Sequence, residues 1–166
     1  LVTGGQTMNP STEDILRAVQ SVPAEIVFVL PNNKNIIMAA QQCDRLTEKT
    51  VIVIPSKTLP QGVSALISFD DSLEPEDLTE ALTEATKTVK TAQITYASRD
   101  SDFDGLNISA GEYLALLESG IVGSGTDLAE LLTAVSRRFA EGSCDVITVY
   151  YGEDVDEYSA NAVAAK

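Results

Sequence analysis

Short apolar runs, polar loops and helical periods alternate along the first half of this chain. Ile15, Leu16, Ala18, Val19 and Val22 recur at helical spacing and predict a first helix. Residues 25–31 (Glu-Ile-Val-Phe-Val-Leu-Pro) form a nearly continuous apolar run closed by proline, the pattern of a strand buried on both faces. Ile36, Ile37, Ala39, Ala40 and Cys43 return to the helical period, and residues 50–55 (Thr-Val-Ile-Val-Ile-Pro) repeat the strand pattern before a helical stretch at 63–69. Strand, polar loop, helix, strand, polar loop, helix predicts a parallel sheet with right-handed crossovers.

From Asp70 the pattern changes. An acidic turn at 70–75 leads into an amphipathic helix that begins at Pro75 or Glu76, carries Leu78, Ala81, Leu82, Ala85 and Val89, and ends near Thr91. Residues 93–98 read as a strand with Ile94 and Tyr96 alternating with polar neighbours. A hairpin follows, with Leu106, Asn107 and Ile108, then 112–122 with a kink near Ser119 and Gly120. Thr126 and Asp127 cap a helix bearing Leu128, Leu131, Leu132, Val135 and Phe139; residues 144–151 read as a buried strand; Asp156 starts the last helix. The expected fold class is α/β: a parallel βαβ lobe with polar loops at 1–88, and a smaller, acidic, mixed α/β lobe at 89–166, truncated at its C-terminus. Leu1 is not a methionine and 160–166 looks like the middle of a helix, so the chain reads as a piece of a longer protein.

Composition narrows the function classes. The 166 residues are 44% apolar, with no run long enough to span a membrane and no signal-peptide pattern, so a soluble, cytoplasmic protein is expected. Up to Ser68 there are five basic and five acidic residues; from Phe69 there are 20 acids against 6 bases, so the second half carries the whole net charge of −14. Such a half repels nucleic-acid phosphates and anionic membrane, and suits solubility or a basic protein partner. The absence of histidine removes histidine-dependent hydrolysis within this chain. Cys43 and Cys144 fit neither a disulfide framework nor a metal spacing, and read as small buried hydrophobes in a reducing compartment.

The candidate chemistry lies in three loops. Gly4, Gly5, Gln6, Thr7, Asn9 and Ser11 precede the first helix, where Ser11 or Thr12 can cap the first turn and its free amides suit an anion or a carbonyl. Asn32, Asn33, Lys34 and Asn35 follow the first strand, and Ser56, Lys57, Thr58 and Gln61 follow the second. Loops after the C-termini of parallel strands gather along one sheet edge, where open α/β folds bind ligands. Together they form a rim of amides and hydroxyls with two lysines, rich in hydrogen-bonding groups and poor in acid–base groups. Lys34 and Lys57 read equally as hooks for a carboxylate or phosphate and as solvated surface charges.

Three further motifs read as structural. Asp100, Asp102 and Asp104 before Gly105 match half a calcium loop, but the twelfth position is Gly111 and the acid arrives one residue late, as Glu112. The glycines at 120, 123 and 125 are out of order for a dinucleotide loop and read as a turn into the Thr126 cap. Pro55, Ser56, Lys57 and Thr58 lack the preceding glycines of a phosphate loop.

Three stretches carry a family resemblance: Gly-Gly-Gln-Thr-Met-Asn-Pro-Ser at 4–11, Leu-Pro-Asn-Asn-Lys-Asn-Ile at 30–36 and Pro-Ser-Lys-Thr-Leu-Pro-Gln-Gly at 55–62. They resemble the C-terminal domain of the bacterial dihydroxyacetone-kinase-like proteins, the large ATP-binding subunit of fatty acid kinase. Ala97, Ser98, Arg99 and Asp100 extend the likeness more weakly. The resemblance implies a DegV-like fold and a non-catalytic domain that docks a DegV-type fatty-acid-binding protein. An upstream domain of the same polypeptide, using ATP and Mg²⁺, then phosphorylates the acyl carboxylate for lipid metabolism. No cofactor is implied within this fragment and no metal site; the upstream domains are expected partners, and a homodimer of the parent is compatible. The opening loop also resembles the loop with which DegV-type proteins hold a fatty acid carboxylate, but Gly4 and Gly5 replace its hydroxyl residues. The alternative is a carboxylate- or phosphate-binding domain of a dihydroxyacetone-kinase-like enzyme; an autonomous kinase of that type lacks the histidine its chemistry needs.

Overall fold

The computed structural model describes residues 2, 9–103, 105–118, 120–140 and 146–164. The chain forms two compact units, Leu1–Thr91 and Ala92–Lys166, and the six α-helices and several small sheets among the described residues make it a mixed α/β protein.

In the first unit, α1 (Thr12–Ser21) leads to β1 (Ile26–Val29), α2 (Ile37–Gln42), a 3₁₀ turn (Cys43–Leu46), β2 (Thr50–Val53), α3 (Leu59–Ile67) and α4 (Pro75–Lys87). Strands β1 and β2 pair in parallel, Ile26 opposite Thr50 and Val29 opposite Val53. Side chains alternate across a strand, so a run that is apolar at every position feeds two cores. Val27 and Val51, with Val29 and Val53, pack against Ile15 and Val19 of α1 and against Ala40 and Cys43. Phe28, Leu30 and Ile52, with Ile54, pack against Ala65 of α3 and Leu78 and Leu82 of α4. Each fully buried aliphatic side chain contributes about 1.5–3 kcal/mol relative to exposure. The continuous apolar character of 25–31 and 50–55 therefore follows from helices covering both faces.

Caps set where these helices begin. Ser11 and Asp14 form a reciprocal capping box at α1: the Asp14 N–H donates to Ser11 Oγ at 3.2 Å, and the Ser11 N–H to Asp14 Oδ2 at 3.0 Å. At α3, Thr58 is the N-cap and Pro60 occupies the first turn, where a missing N–H costs nothing. The helix starts at Leu59, four residues earlier than its apolar period indicates.

The second unit is antiparallel. β3 (Ala92–Tyr96), β6 (Tyr113–Leu117) and β7 (Gly120–Gly125) form one sheet in that order, β4 (Ser101–Phe103) and β5 (Leu106–Ile108) form a separate hairpin, and α5 (Leu128–Ala140) and α6 (Glu157–Ala164) follow. Leu131 and Val135 of α5 pack over Ala115 of β6. Gly123 lies beneath α5, and a Cβ there would meet Leu131 Cδ2 at 3.3 Å.

Three expectations for this unit need correction. The supposed kink near Ser119–Gly120 is a reversal between β6 and β7, with Glu118 at φ 55° and Ser119 outside the described residues. Gly120–Gly125 is accordingly a strand, with Gly123 beneath α5, and Asp127 supplies the cap by accepting the Ala129 N–H at 2.7 Å. The strand expected at 144–151 is absent from its described part: 146–151 belongs to no β-ladder, and Val146 and Ile147 are 78% and 75% exposed. An apolar run indicates a tendency to be buried, whereas strand structure also needs a neighbouring edge to pair with. Cys144 and Asp104 lie outside the described residues.

Candidate functional site

The C-terminal ends of β1 and β2 carry the polar loops, and Ser56 ties them together. Its side chain is fully buried; its Oγ donates to Asn32 Oδ1 at 2.8 Å and accepts the Asn32 N–H at 3.1 Å. Asn32 sits at φ 56°, a left-handed conformation that asparagine tolerates better than most residues. Its carboxamide lies against Gly62 in the first turn of α3: a Cβ at Gly62 would stand 1.9 Å from Asn32 Oδ1. Asn32, Ser56 and Gly62 thus interlock, and glycine at 62 makes room for the asparagine.

Around this lock the remaining loop residues divide by exposure. Asn33 accepts the Asn35 N–H on its Oδ1 at 2.9 Å and donates through Nδ2 to Asn9 Oδ1 at 3.3 Å, joining the loop before α1 to the loop after β1. Gln61 is buried, and its Oε1 accepts the Lys57 N–H at 2.8 Å. The Thr58 hydroxyl accepts the Gln61 N–H at 3.4 Å and lies 2.8 Å from the Thr91 hydroxyl. Ser11 is occupied by its capping box with Asp14. Lys34, Asn35 and Lys57 are exposed, and neither lysine takes part in an ion pair among the described residues. Gly4, Gly5, Gln6 and Thr7 lie outside the described residues.

The structure therefore brings Asn9, Asn32, Asn33 and Ser56 together, assigns Ser11, Thr58 and Gln61 to helix starts and loop bracing, and leaves Lys34, Asn35 and Lys57 outermost. Two contributors escape the loop pattern. Gly62 is legible only once Thr58 and Pro60 are read as an N-cap and first-turn proline, and no local signal marks Thr91. No buried side-chain polar atom among the described residues lacks a hydrogen-bond partner. The framework is internally satisfied, and the chemistry it offers outward is two positive charges and amide groups.

Electrostatics point the same way. Hydrogen bonds from the Ser11 side chain and main chain hold the Asp14 carboxyl below the usual carboxylate range, so it remains an anion at the α1 N-terminus. Burial pushes the Cys43 thiol up, and its Sγ lies 3.5 Å from the Ala39 carbonyl oxygen and 3.6 Å from that of Thr12. A raised pKa keeps it a thiol, suited to packing rather than nucleophilic attack. Among the described residues, no three His, Cys, Asp or Glu side chains converge as metal ligands, and no helix is long and apolar enough to cross a membrane.

A small parallel sheet with helices on both faces and polar loops at one edge belongs to the broad class of α/β domains. Its family is more specific: the chain matches, over residues 1–166, the FakA-like C-terminal family of fatty acid kinase, and it belongs to that family. Among its relatives are Protein YloV of Bacillus subtilis, 42% identical over 166 residues covering 99% of this chain, and an uncharacterized protein of Staphylococcus epidermidis, 36% identical over 163 residues covering 98%. An uncharacterized Staphylococcus aureus protein is 35% identical over 157 residues, 95% of this chain. The chain spans only about 30% of the length of these relatives.

Proposed function

We propose that this domain is the non-catalytic C-terminal part of a cytoplasmic fatty acid kinase subunit, and that its polar rim docks a DegV-type fatty-acid-binding protein. The observation that carries the reading is the rim's make-up. Lys34, Asn35 and Lys57 are exposed around a lock of asparagines and Ser56 that is already satisfied, so the described part of the surface offers positive charge and amides for recognition. Docking would present the bound acyl carboxylate to an ATP-binding domain elsewhere in the parent polypeptide. In this reading ATP and Mg²⁺ are held by that other domain. Positive charges at a rim steer association and set its salt dependence.

The test is calorimetric titration of the full-length parent protein with the DegV-type protein of the same bacterium, beside a second titration with fatty acid alone. Binding of the protein but not of free fatty acid is expected. Saturable binding of free fatty acid or inorganic phosphate, abolished by replacing Lys34 and Lys57, would favour the second reading, a carboxylate or phosphate site. That neither lysine is ion-paired among the described residues is the observation behind that alternative.

A further inference from the structure

We propose that the loop edge is the positive pole of the first unit, that Lys90 is a third cation on it beside Lys34 and Lys57, and that this edge fits a carboxylate-bearing face of a protein partner. The inference rests on the docking reading and names the chemistry of the face that docks. The first observation places Lys90. It follows α4 and precedes Thr91, whose hydroxyl lies 2.8 Å from that of Thr58, the N-cap of α3. Lys57 stands between Ser56 and Thr58, and Lys34 lies two residues beyond Asn32, which Ser56 holds. Lysines from three separate stretches thus meet one hydrogen-bonded framework, each within two residues of it. All three are exposed, and none forms an ion pair among the described residues.

The second observation is that the topology carries the acids to the opposite end. Glu25 lies at the start of β1, Asp44 Oδ1 accepts the Val51 N–H at 3.1 Å at the start of β2, and Glu48 is two residues before Thr50. Helix α3 leaves the loop edge at Leu59, and its nine residues take the chain about 13 Å away, at 1.5 Å per residue, to the acidic turn at 70–77. Helix α4 brings it back, with Ser64 Oγ of α3 donating to the Ala85 carbonyl at 3.2 Å. The acids that return to the loop edge are engaged: Asp14 by Ser11, Glu13 by Arg17 at 3.4 Å and Glu84 by Lys87. Residues 1–12 carry no charged side chain, so the stretch before α1 adds nothing negative. The even count of acids and bases up to Ser68 therefore conceals a separation of charge in space.

The third observation selects the kind of partner. A single carboxylate or phosphate is held by donors that converge to about 2.7–3.2 Å from its oxygens. Here the cations stand on separate connections, and no buried side-chain polar atom among the described residues waits for a ligand. Charge spread in this way over an exposed edge matches an extended acidic face better than one small oxyanion. Opposite charges across an interface speed encounter and fix register, whereas like charges exclude a wrong partner. A face bearing aspartates and glutamates is therefore the complement of this edge.

Carbodiimide coupling of the full-length parent protein with the DegV-type protein of the same bacterium tests it, because the reagent joins an amine directly to a carboxylate in contact with it. Cross-links from Lys34, Lys57 or Lys90 to aspartates or glutamates of the partner are expected. Lys90→Glu should weaken binding about fivefold, and Lys90→Arg should leave it unchanged. A complex that forms without any such cross-link, or whose affinity Lys90→Glu leaves unaltered, would overturn this inference and leave the docking reading standing. Absence of any complex would overturn both.

Discussion

The Ser56 hydroxyl and Asn32 bind each other twice, through Oγ to Oδ1 at 2.8 Å and through the Asn32 N–H to Oγ at 3.1 Å. A fully buried hydroxyl at the end of β2 thereby holds a left-handed residue at the end of β1. Removing it leaves two Asn32 groups unpartnered in a half-buried place. Ser56→Ala should cost about 1–3 kcal/mol, read as a fall of roughly 0.5–1.5 M in the urea midpoint for an unchanged slope of about 2 kcal/mol/M. An unchanged midpoint would show that Asn32 is held by something else.

Gly62 is the third member of that lock. A methyl at 62 would displace the Asn32 carboxamide, whose oxygen stands 1.9 Å from the ideal Cβ position. Gly62→Ala should destabilise by about 1–3 kcal/mol, as overpacking does. Combined with Asn32→Gly, which removes the obstructing amide and keeps the positive φ accessible, the added cost of the alanine should largely vanish. Simple additivity of the two substitutions would refute the lock, since contacting residues couple.

The capping box gives a pH-dependent prediction. Hydrogen bonds from Ser11 lower the Asp14 pKa in the folded state. A group with a depressed folded pKa stabilises above its unfolded value, about 3.9 for Asp, and that stabilisation is lost as pH falls through the folded value. The Asp14 contribution should thus be present at neutral pH and vanish only in strongly acidic solution. Carboxyl carbon NMR titration should place Asp14 below ordinary aspartates and return it toward them in Ser11→Ala. A midpoint that Ser11→Ala leaves where it was would dismiss the hydrogen bonds as its cause.

In the second unit, Tyr96 and Tyr113 face each other across β3 and β6, ring centroids 4.9 Å apart, and the Tyr96 hydroxyl donates to that of Tyr113 at 3.4 Å. This bond, then the proximity of Tyr113, raises the Tyr96 pKa above the ordinary phenol value. Tyr113→Phe should lower it. Ultraviolet titration follows the phenolate directly, and an unmoved or higher midpoint would contradict the assignment.

Much of the parallel unit is legible in the amino-acid sequence because two-sided burial leaves a strong trace: 25–31 and 50–55 are apolar at nearly every position and end in proline. The loops that gather Asn9, Asn32, Asn33 and Ser56 follow from that topology. What stays hidden is how each polar residue is used. Gln61 looks like a rim amide, but is buried in α3, because the Thr58 cap and Pro60 draw the helix start back to Leu59. The second unit is harder for a related reason. Glycines at 120, 123 and 125 look like a turn, yet they lie in a strand paired with β6, and of the three only Gly123 packs closely beneath α5. The run at 146–151 has the composition of a strand but lies outside every strand of the described residues.

In the proposed docking, Lys34 and Lys57, carried on the loop edge of β1 and β2, meet the protein partner. The most direct measurement is the affinity of the full-length parent for the DegV-type protein of its own bacterium, compared with a Lys34→Glu/Lys57→Glu variant. Both lysines are exposed, so the fold should survive the change. The variant should bind with at least about a tenfold weaker Kd, equivalent to about 1.4 kcal/mol, and with a shallower dependence on salt. Equal affinity for the two proteins, or no binding by the wild type, would contradict it.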